Sequence, residues 1–156
     1  MSICIYPGSF DPITMGHLDI ITRGSQMFDH VIVSVLVNTQ KQPTYLLENR
    51  LDMIKASVKH LENVSVDSFG GLLVDYAKQK KAGIILRGLR AVSDFEHEFA
   101  MAAMNNQLDP DIETVFLMTR TEYSFLSSSV VREVMQLGGD VSKMVPKAIW
   151  DDIKKL

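Results

Sequence analysis

Gly8, Ser9, Thr14, Gly16 and His17 fall together in the stretch IYPGSFDPITMGHLDI, where a strand-like apolar run meets a helix-like pattern. Each can serve an anion, by a close backbone approach, a hydroxyl, or an imidazole in a first helical turn. The same chemistry recurs along the chain, with Lys41 after the second apolar run and Arg87 and Arg90 after the fourth. Arg120 follows the fifth, and then Ser127, Ser128 and Ser129. Neither a cysteine nucleophile nor an obvious general base belongs to this set. It is a group of cations beside helix amino termini, which carry free N–H groups and partial positive charge. Such a rim suits a polyphosphate.

Taken singly, these residues have plainer readings. His17 alone reads as a surface or capping residue, Ser127 to Ser129 as a helix cap, Lys41 as a solvated loop charge and RGLR (Arg87 to Arg90) as surface arginines at a strand end. Their common placement favours a site. In an open parallel sheet, ligands bind beyond the carboxyl ends of the strands, where strand order reverses.

The elements that would position them alternate along the whole sequence. Runs rich in β-branched residues predict strands at Ile3 to Tyr6, Val31 to Val37, Asn63 to Phe69, Gly83 to Arg87 and Glu113 to Met118. Helical patterns cover Met15 to Phe28, Leu47 to His60, Leu72 to Lys81, Ser93 to Leu108, Ser128 to Leu137 and Pro146 to Lys155. Thr14 is expected to cap the first helix and Ser93, with Glu96 in a capping box, the fourth; Gly138-Gly139 would end the fifth. The alternation predicts a single Rossmann-like α/β domain over residues 1–156. Its five-stranded parallel sheet would carry helices on both faces, and its carboxyl terminus would be helical. Gly8 would let the backbone approach a ligand, with Pro7 and Pro12 stiffening the loop on either side.

Composition narrows the function classes. With 46% hydrophobic and 22% charged residues in 156, the chain is an ordinary globular mixture and not a disordered one. A formal net charge of -3 gives no general attraction to nucleic acid, so no nucleic-acid partner is expected and anions must be held locally. Cys4 is the sole cysteine, which excludes an internal disulfide framework, and His30, His60 and His97 lie too far apart for metal-ligand spacing. No apolar run reaches membrane-spanning length and no signal-peptide pattern opens the chain, so a cytoplasmic protein without membrane contact is expected. Phe95, Phe99, Ala102 and Ala103 follow helical spacing as a core or subunit-interface face.

TMGH (Thr14 to His17) resembles the (H/T)xGH signature of the nucleotidyltransferase superfamily, and LSSSVVR (Leu126 to Arg132) resembles its ISSTxxR signature. Within that superfamily the chain is similar over essentially its whole length to the short bacterial phosphopantetheine adenylyltransferases. YPGSFDPITMGHLDII, RGLRAVSDFEHE and VFLM with YSFLSSS carry the likeness. The resemblance implies transfer of AMP from ATP to 4'-phosphopantetheine, giving dephospho-coenzyme A and pyrophosphate, with Mg2+ accompanying ATP. It implies a homohexamer inhibited by coenzyme A. It also assigns residues: His17, Ser9, Lys41 and Arg90 to catalysis, Ser9, Lys41 and Arg87 to the acceptor phosphate, and the Leu73 backbone to the pantetheine arm. Ser9, Phe10, His17, Gly88, Leu89, Arg90, Glu98, Tyr123, Ser124, Phe125, Leu126, Ser127, Ser128 and Ser129 would line the ATP site.

Departures from the pattern are mild: Ser9 where threonine is common, Tyr123 where tryptophan is frequent and Leu126 for the signature isoleucine. None removes a donor. Two other readings share the fold. One is another adenylyl- or cytidylyltransferase, acting on nicotinamide mononucleotide or a small alcohol phosphate, against which Lys41, RGLR and YSFLSSS weigh. The other is a non-catalytic nucleotide sensor, which would need no residues aimed at a transition state. The sequence leaves the charge of His17 open, since the helix amino terminus disfavours an imidazolium while bound phosphates favour one.

Overall fold

Cys4 and Tyr6 of β1 (Ile3–Gly8) enter one apolar core while Ile5, between them, enters another. That alternation is what a strand buried on both faces requires. The computed structural model describes residues 1–154, with the side chains of 92 and 93 outside the description. The elements follow as α1 (Met15–Met27), β2 (His30–Leu36), α2 (Leu47–Val58), β3 (Val64–Phe69), α3 (Leu73–Gln79), β4 (Ile84–Leu89), α4 (Val92–Leu108), β5 (Glu113–Met118), α5 (Ser128–Gln136) and α6 (Trp150–Lys154). Short 3-10 turns precede α5 at Thr121–Tyr123 and α6 at Lys147–Ile149.

All five strands run parallel in the order β3-β2-β1-β4-β5. The order reverses between β1 and β4, so the expected site is where those two strands end. One core packs Ile20 and Ile21 of α1, Met53 and Ile54 of α2 and Ile149 against Val31, Val33 and Leu86. The opposite core packs Val74 and Ala77 of α3 against Ile5, Ile32 and Ile85. Each such fully buried aliphatic side chain contributes roughly 1.5–3 kcal/mol relative to exposure, which holds both helical layers onto the sheet.

The predicted strands and helices all occur, with shifted ends. β1 reaches Gly8, since Pro7 and Gly8 pair in register with Ser34 and Val35, and β4 reaches Leu89 opposite Met118. The strand thus contains Gly88, where a Cβ would meet Ile20 Cγ1 at 3.1 Å, so glycine lets α1 lie close on β4. α5 ends as expected: Gly138 has φ 77, and the N–H groups of Gly138 and Gly139 donate to Met135 O (3.0 Å) and Val134 O (2.8 Å).

Helix boundaries differ from expectation too. α4 starts two residues earlier than the capping box would have it, with Ala91 at the cap position and no side-chain cap, so Ser93 lies inside the first turn. α3 stops at Gln79 and Lys81 turns left-handed (φ 54), sending the chain toward β4. The last segment divides into a 3-10 turn and the short α6, and Lys155 lies outside the described residues.

Candidate active site

The first helix begins with a local motif that fixes its histidine. Thr14 is the N-cap of α1, its Oγ1 accepting from the His17 N–H at 3.3 Å, while His17 Nδ1 accepts from the Thr14 N–H at 3.0 Å. This is a capping box in which imidazole replaces the usual Glu or Gln. A backbone N–H can only donate, so Nδ1 carries no proton and the neutral ring bears its hydrogen on Nε2. The ring packs edge-on against Phe10, centroids 4.9 Å apart. Burial, followed by the charges of Arg90 and Arg87, lowers the His17 pKa from 6.5 to about 4. His17 is therefore a neutral donor at Nε2 near neutral pH.

That pKa has a consequence for stability. The folded state holds the His17 proton less tightly than the unfolded state, so His17 costs stability progressively as pH falls from 6.5 toward about 4. His17→Gln keeps the capping box and removes the titration. We expect the variant's stability relative to wild type to rise as pH falls through that window, read from denaturant unfolding. An unchanged difference would mean that the folded imidazole titrates normally.

Gly8, which lines the strand-end space expected to receive a ligand, also has a packing role. A Cβ there would stand 3.0 Å from the Phe10 ring, so glycine makes room for this ring, which is buried on a left-handed residue (φ 46). The Phe10 ring then forms the floor under His17. At Gly16 a Cβ would lie 3.8 and 3.9 Å from the Cβ atoms of Tyr123 and Leu126, so the 120s loop sits directly over the start of α1.

Between these pieces lies a cleft of about 270 Å³ lined by Ser9, Phe10, Thr14, His17, Arg87, Gly88, Arg90, Glu98, Leu126, Ser127 and Ser128, among others. Arg87 donates from Nε and Nη2 to both oxygens of Glu98, each at 2.6 Å, and from Nη1 to Pro7 O at 2.9 Å. Arg90 is held by Asp94 and by Leu126 O, which ties the end of β4 to the 120s loop. Ser127 caps α5 by accepting from the Val130 N–H, and Ser128 Oγ donates to Pro12 O at 2.7 Å.

A second cavity, of about 440 Å³, opens from the same strand ends. Leu36, Phe69, Leu72, Leu73, Met101 and Met104 give it a mainly apolar wall. It shares Ser9, Arg87 and Glu98 with the first. The arrangement can hold an anionic group at the junction, a polyphosphate on one side and a slender apolar chain on the other.

Other sequence-selected residues are placed differently. Lys41 sits on an exposed loop after β2 and lines neither cavity. Leu89, Tyr123, Ser124, Phe125 and Ser129 also lie outside the linings; Ser129 Oγ accepts from Arg132, and Ser124 Oγ donates to Thr121 O. Cys4 is buried in β1 with its thiol pushed up to about 12 by that burial, which leaves it inert. Sequence reasoning missed Asp94 on Arg90, and it missed the braces Asp11, Arg50 and Arg132. Only Arg132 had a signal, as the last residue of the second signature.

A cytidylyltransferase-like family model matches residues 5–134. A nicotinic acid mononucleotide adenylyltransferase from Plasmodium falciparum, solved with NaAD, superposes with a TM-score of 0.73 at 18% identity, covering 99% of this chain and 95% of that one. The chain is thus a cytidylyltransferase-like nucleotidyltransferase. A phosphopantetheine adenylyltransferase of Clostridium botulinum (strain Eklund 17B / Type B) is 59% identical over 98% of this chain and 96% of its own length. One from a Synechocystis species is also 59% identical, over 97% and 95%. The chain belongs to the phosphopantetheine adenylyltransferase family.

Proposed function

We propose that the protein transfers the adenylyl group of ATP to 4'-phosphopantetheine, releasing pyrophosphate and forming dephospho-coenzyme A. The observation that carries this is the junction: a donor-rich cleft and an apolar cavity meet at Ser9, Arg87 and Glu98. ATP suits the first, the pantetheine arm the second, and the new bond forms between them. An oxygen of the acceptor phosphate attacks the α-phosphorus, and the bond from that phosphorus to the β-phosphate oxygen breaks. The attacking oxygen is already ionised, so no base is needed, and catalysis consists of alignment and charge stabilisation. Arg87 orients the acceptor phosphate, Arg90 and the Ser127–Ser128 turn receive the polyphosphate, and His17 donates from Nε2 to the α-phosphate.

Magnesium enters with ATP as substrate. The carboxylates at the cleft, Asp94 and Glu98, are engaged by Arg90 and Arg87, and magnesium readily binds through phosphates with several waters retained. Coenzyme A combines an adenine nucleotide with a pantetheine arm and would span both cavities, which supports its acting as a competing inhibitor. A hexameric assembly is in keeping with the exposed Phe99, Met101, Met104 and Leu108 on α4; a single-chain mass by light scattering would refute it. Among the described residues no helix is long and apolar enough to cross a membrane, and we place the enzyme in the cytoplasm.

Incubating the protein with ATP, magnesium and 4'-phosphopantetheine should yield dephospho-coenzyme A by mass together with pyrophosphate. Turnover of nicotinamide mononucleotide instead would reassign the acceptor; ATP binding without turnover of either would indicate a sensor. Lys41→Ala tests the loop: we expect weaker phosphopantetheine binding by titration with ATP binding unchanged, because the loop follows β2 beside the acceptor end. Equal acceptor affinity in the variant would remove Lys41 from the site.

A further inference from the structure

The loop joining β1 to α1 has an unusual distribution of hydrogen bonds. Three of its carbonyl oxygens, and one at the end of β1, are taken by side-chain donors from elsewhere: Pro7 O by Arg87 (2.9 Å), then Ser9 O by Arg50 (2.9 Å), Asp11 O by Arg132 (2.7 Å) and Pro12 O by Ser128 (2.7 Å). Meanwhile the N–H groups of Ser9 and Phe10 have no partner among the described residues. A carbonyl facing a phosphate repels it, whereas an N–H attracts it. Binding the carbonyls on the protein side fixes the peptide planes and leaves the loop's donors for an anion.

Of the four donors, Arg87 and Ser128 line the cleft and Arg132 closes a recognised signature. Arg50 differs. It comes from α2, it is only 5% exposed, and its Nε is buried without a partner. No carboxylate lies within 4.0 Å of it among the described residues. Burial lowers the pKa of its guanidinium, and Asp11, the charge that opposes this shift, has both oxygens taken by the Thr44 and Tyr45 N–H groups at 2.9 Å. A buried guanidinium without an ion-pair partner is costly on its own. Here it stands directly behind a loop shaped for anions.

We propose that Arg50 is a positioning residue of the reaction: its hydrogen bond sets the Ser9 peptide, and its uncompensated charge draws the substrate phosphates to that loop. The cost of burying the guanidinium is then offset when the phosphates arrive. This rests on the phosphate reading of the cleft, which pyrophosphate with magnesium probes without any turnover.

The test titrates magnesium pyrophosphate calorimetrically into wild type, Arg50→Met and Arg50→Lys, and measures kcat for each. Misplacing a positioned loop by an ångström costs about a hundredfold in rate. We therefore expect Arg50→Met to bind pyrophosphate at least about tenfold more weakly and to lose about a hundredfold in kcat. Arg50→Lys keeps the charge and one donor, and should recover most of the affinity. Wild-type affinity and kcat in Arg50→Met, or a lysine variant as impaired as the methionine one, would overturn the proposal. Should Arg50→Met fail to fold, Arg50→Gln retains a donor without the charge and is expected to lose affinity for pyrophosphate; full affinity there would overturn the charge's role. Wild type that binds pyrophosphate but does not adenylate phosphopantetheine would sink the acceptor assignment and leave Arg50 standing.

Discussion

His17→Ala lowers kcat about a hundredfold or more in single-turnover assays, with much smaller changes in the affinity for either substrate. The argument starts from the capping box. Nδ1 is committed to the Thr14 N–H, so the ring has one donor left, at Nε2, and the ring lines the cleft. Because its pKa is lowered to about 4, the imidazole does not arrive charged and holds no strong claim on ground-state phosphate. Its hydrogen bond strengthens as charge grows on the α-phosphate oxygens, and this difference between states is what accelerates a reaction. Losing such a donor costs on the order of 3 kcal/mol of transition-state stabilisation. Alanine also removes half of the capping box, worth roughly 1 kcal/mol of stability, and that part appears in the unfolding transition and not in kcat. A folded alanine variant with near-normal kcat would take His17 out of the chemistry.

Runs of β-branched residues and helical apolar patterns were enough to read every strand and helix of the sheet layer, because burial on both faces makes a central strand apolar along its length. Strand ends were harder. Pro7, Gly8 and Gly88 have poor strand propensity, and they are extended only because ladder neighbours on β2 and β5 hold them there. The positions of Ser9, His17, Arg87, Arg90 and Ser128 were legible from one rule, the location of each after a strand. Their partners were not. Nothing in the sequence singles out Arg50 within its helical pattern, and its bond to Ser9 O spans a sequence separation of 41. Glu98 was legible as a cleft residue by resemblance, but its pairing with Arg87 exists only once α4 has docked against β4. The state of His17 was hidden for a different reason: the capping-box pattern is written for Glu or Gln, and a histidine in that position gives no signal.

Arg87→Met should reduce kcat/KM for the acceptor by about a thousandfold, with a substantial part of that loss due to Glu98. In the wild type the pair is bidentate, with both contacts at 2.6 Å and the carboxylate side chain only 12% exposed. Removing one member of a fully buried pair costs about 3–5 kcal/mol; with the Arg87 side chain 32% exposed the cost here is smaller, but the remaining charge is still left unpaired. Here the remaining charge is negative and borders both cavities, where two polyanions must meet. The variant therefore loses a cation that orients the acceptor phosphate and gains an anion that repels it. Adding Glu98→Gln removes the repulsion without restoring the clamp, so the double variant should recover about tenfold over Arg87→Met. Glu98→Gln alone should be the mildest of the three, as Arg87 keeps its bond to Pro7 O and its charge. If the double variant is no better than Arg87→Met, the carboxylate does not reach the phosphates and the loss belongs to the missing guanidinium alone. If Arg87→Met retains near-normal kcat/KM, the acceptor phosphate does not bind at the junction of the two cavities.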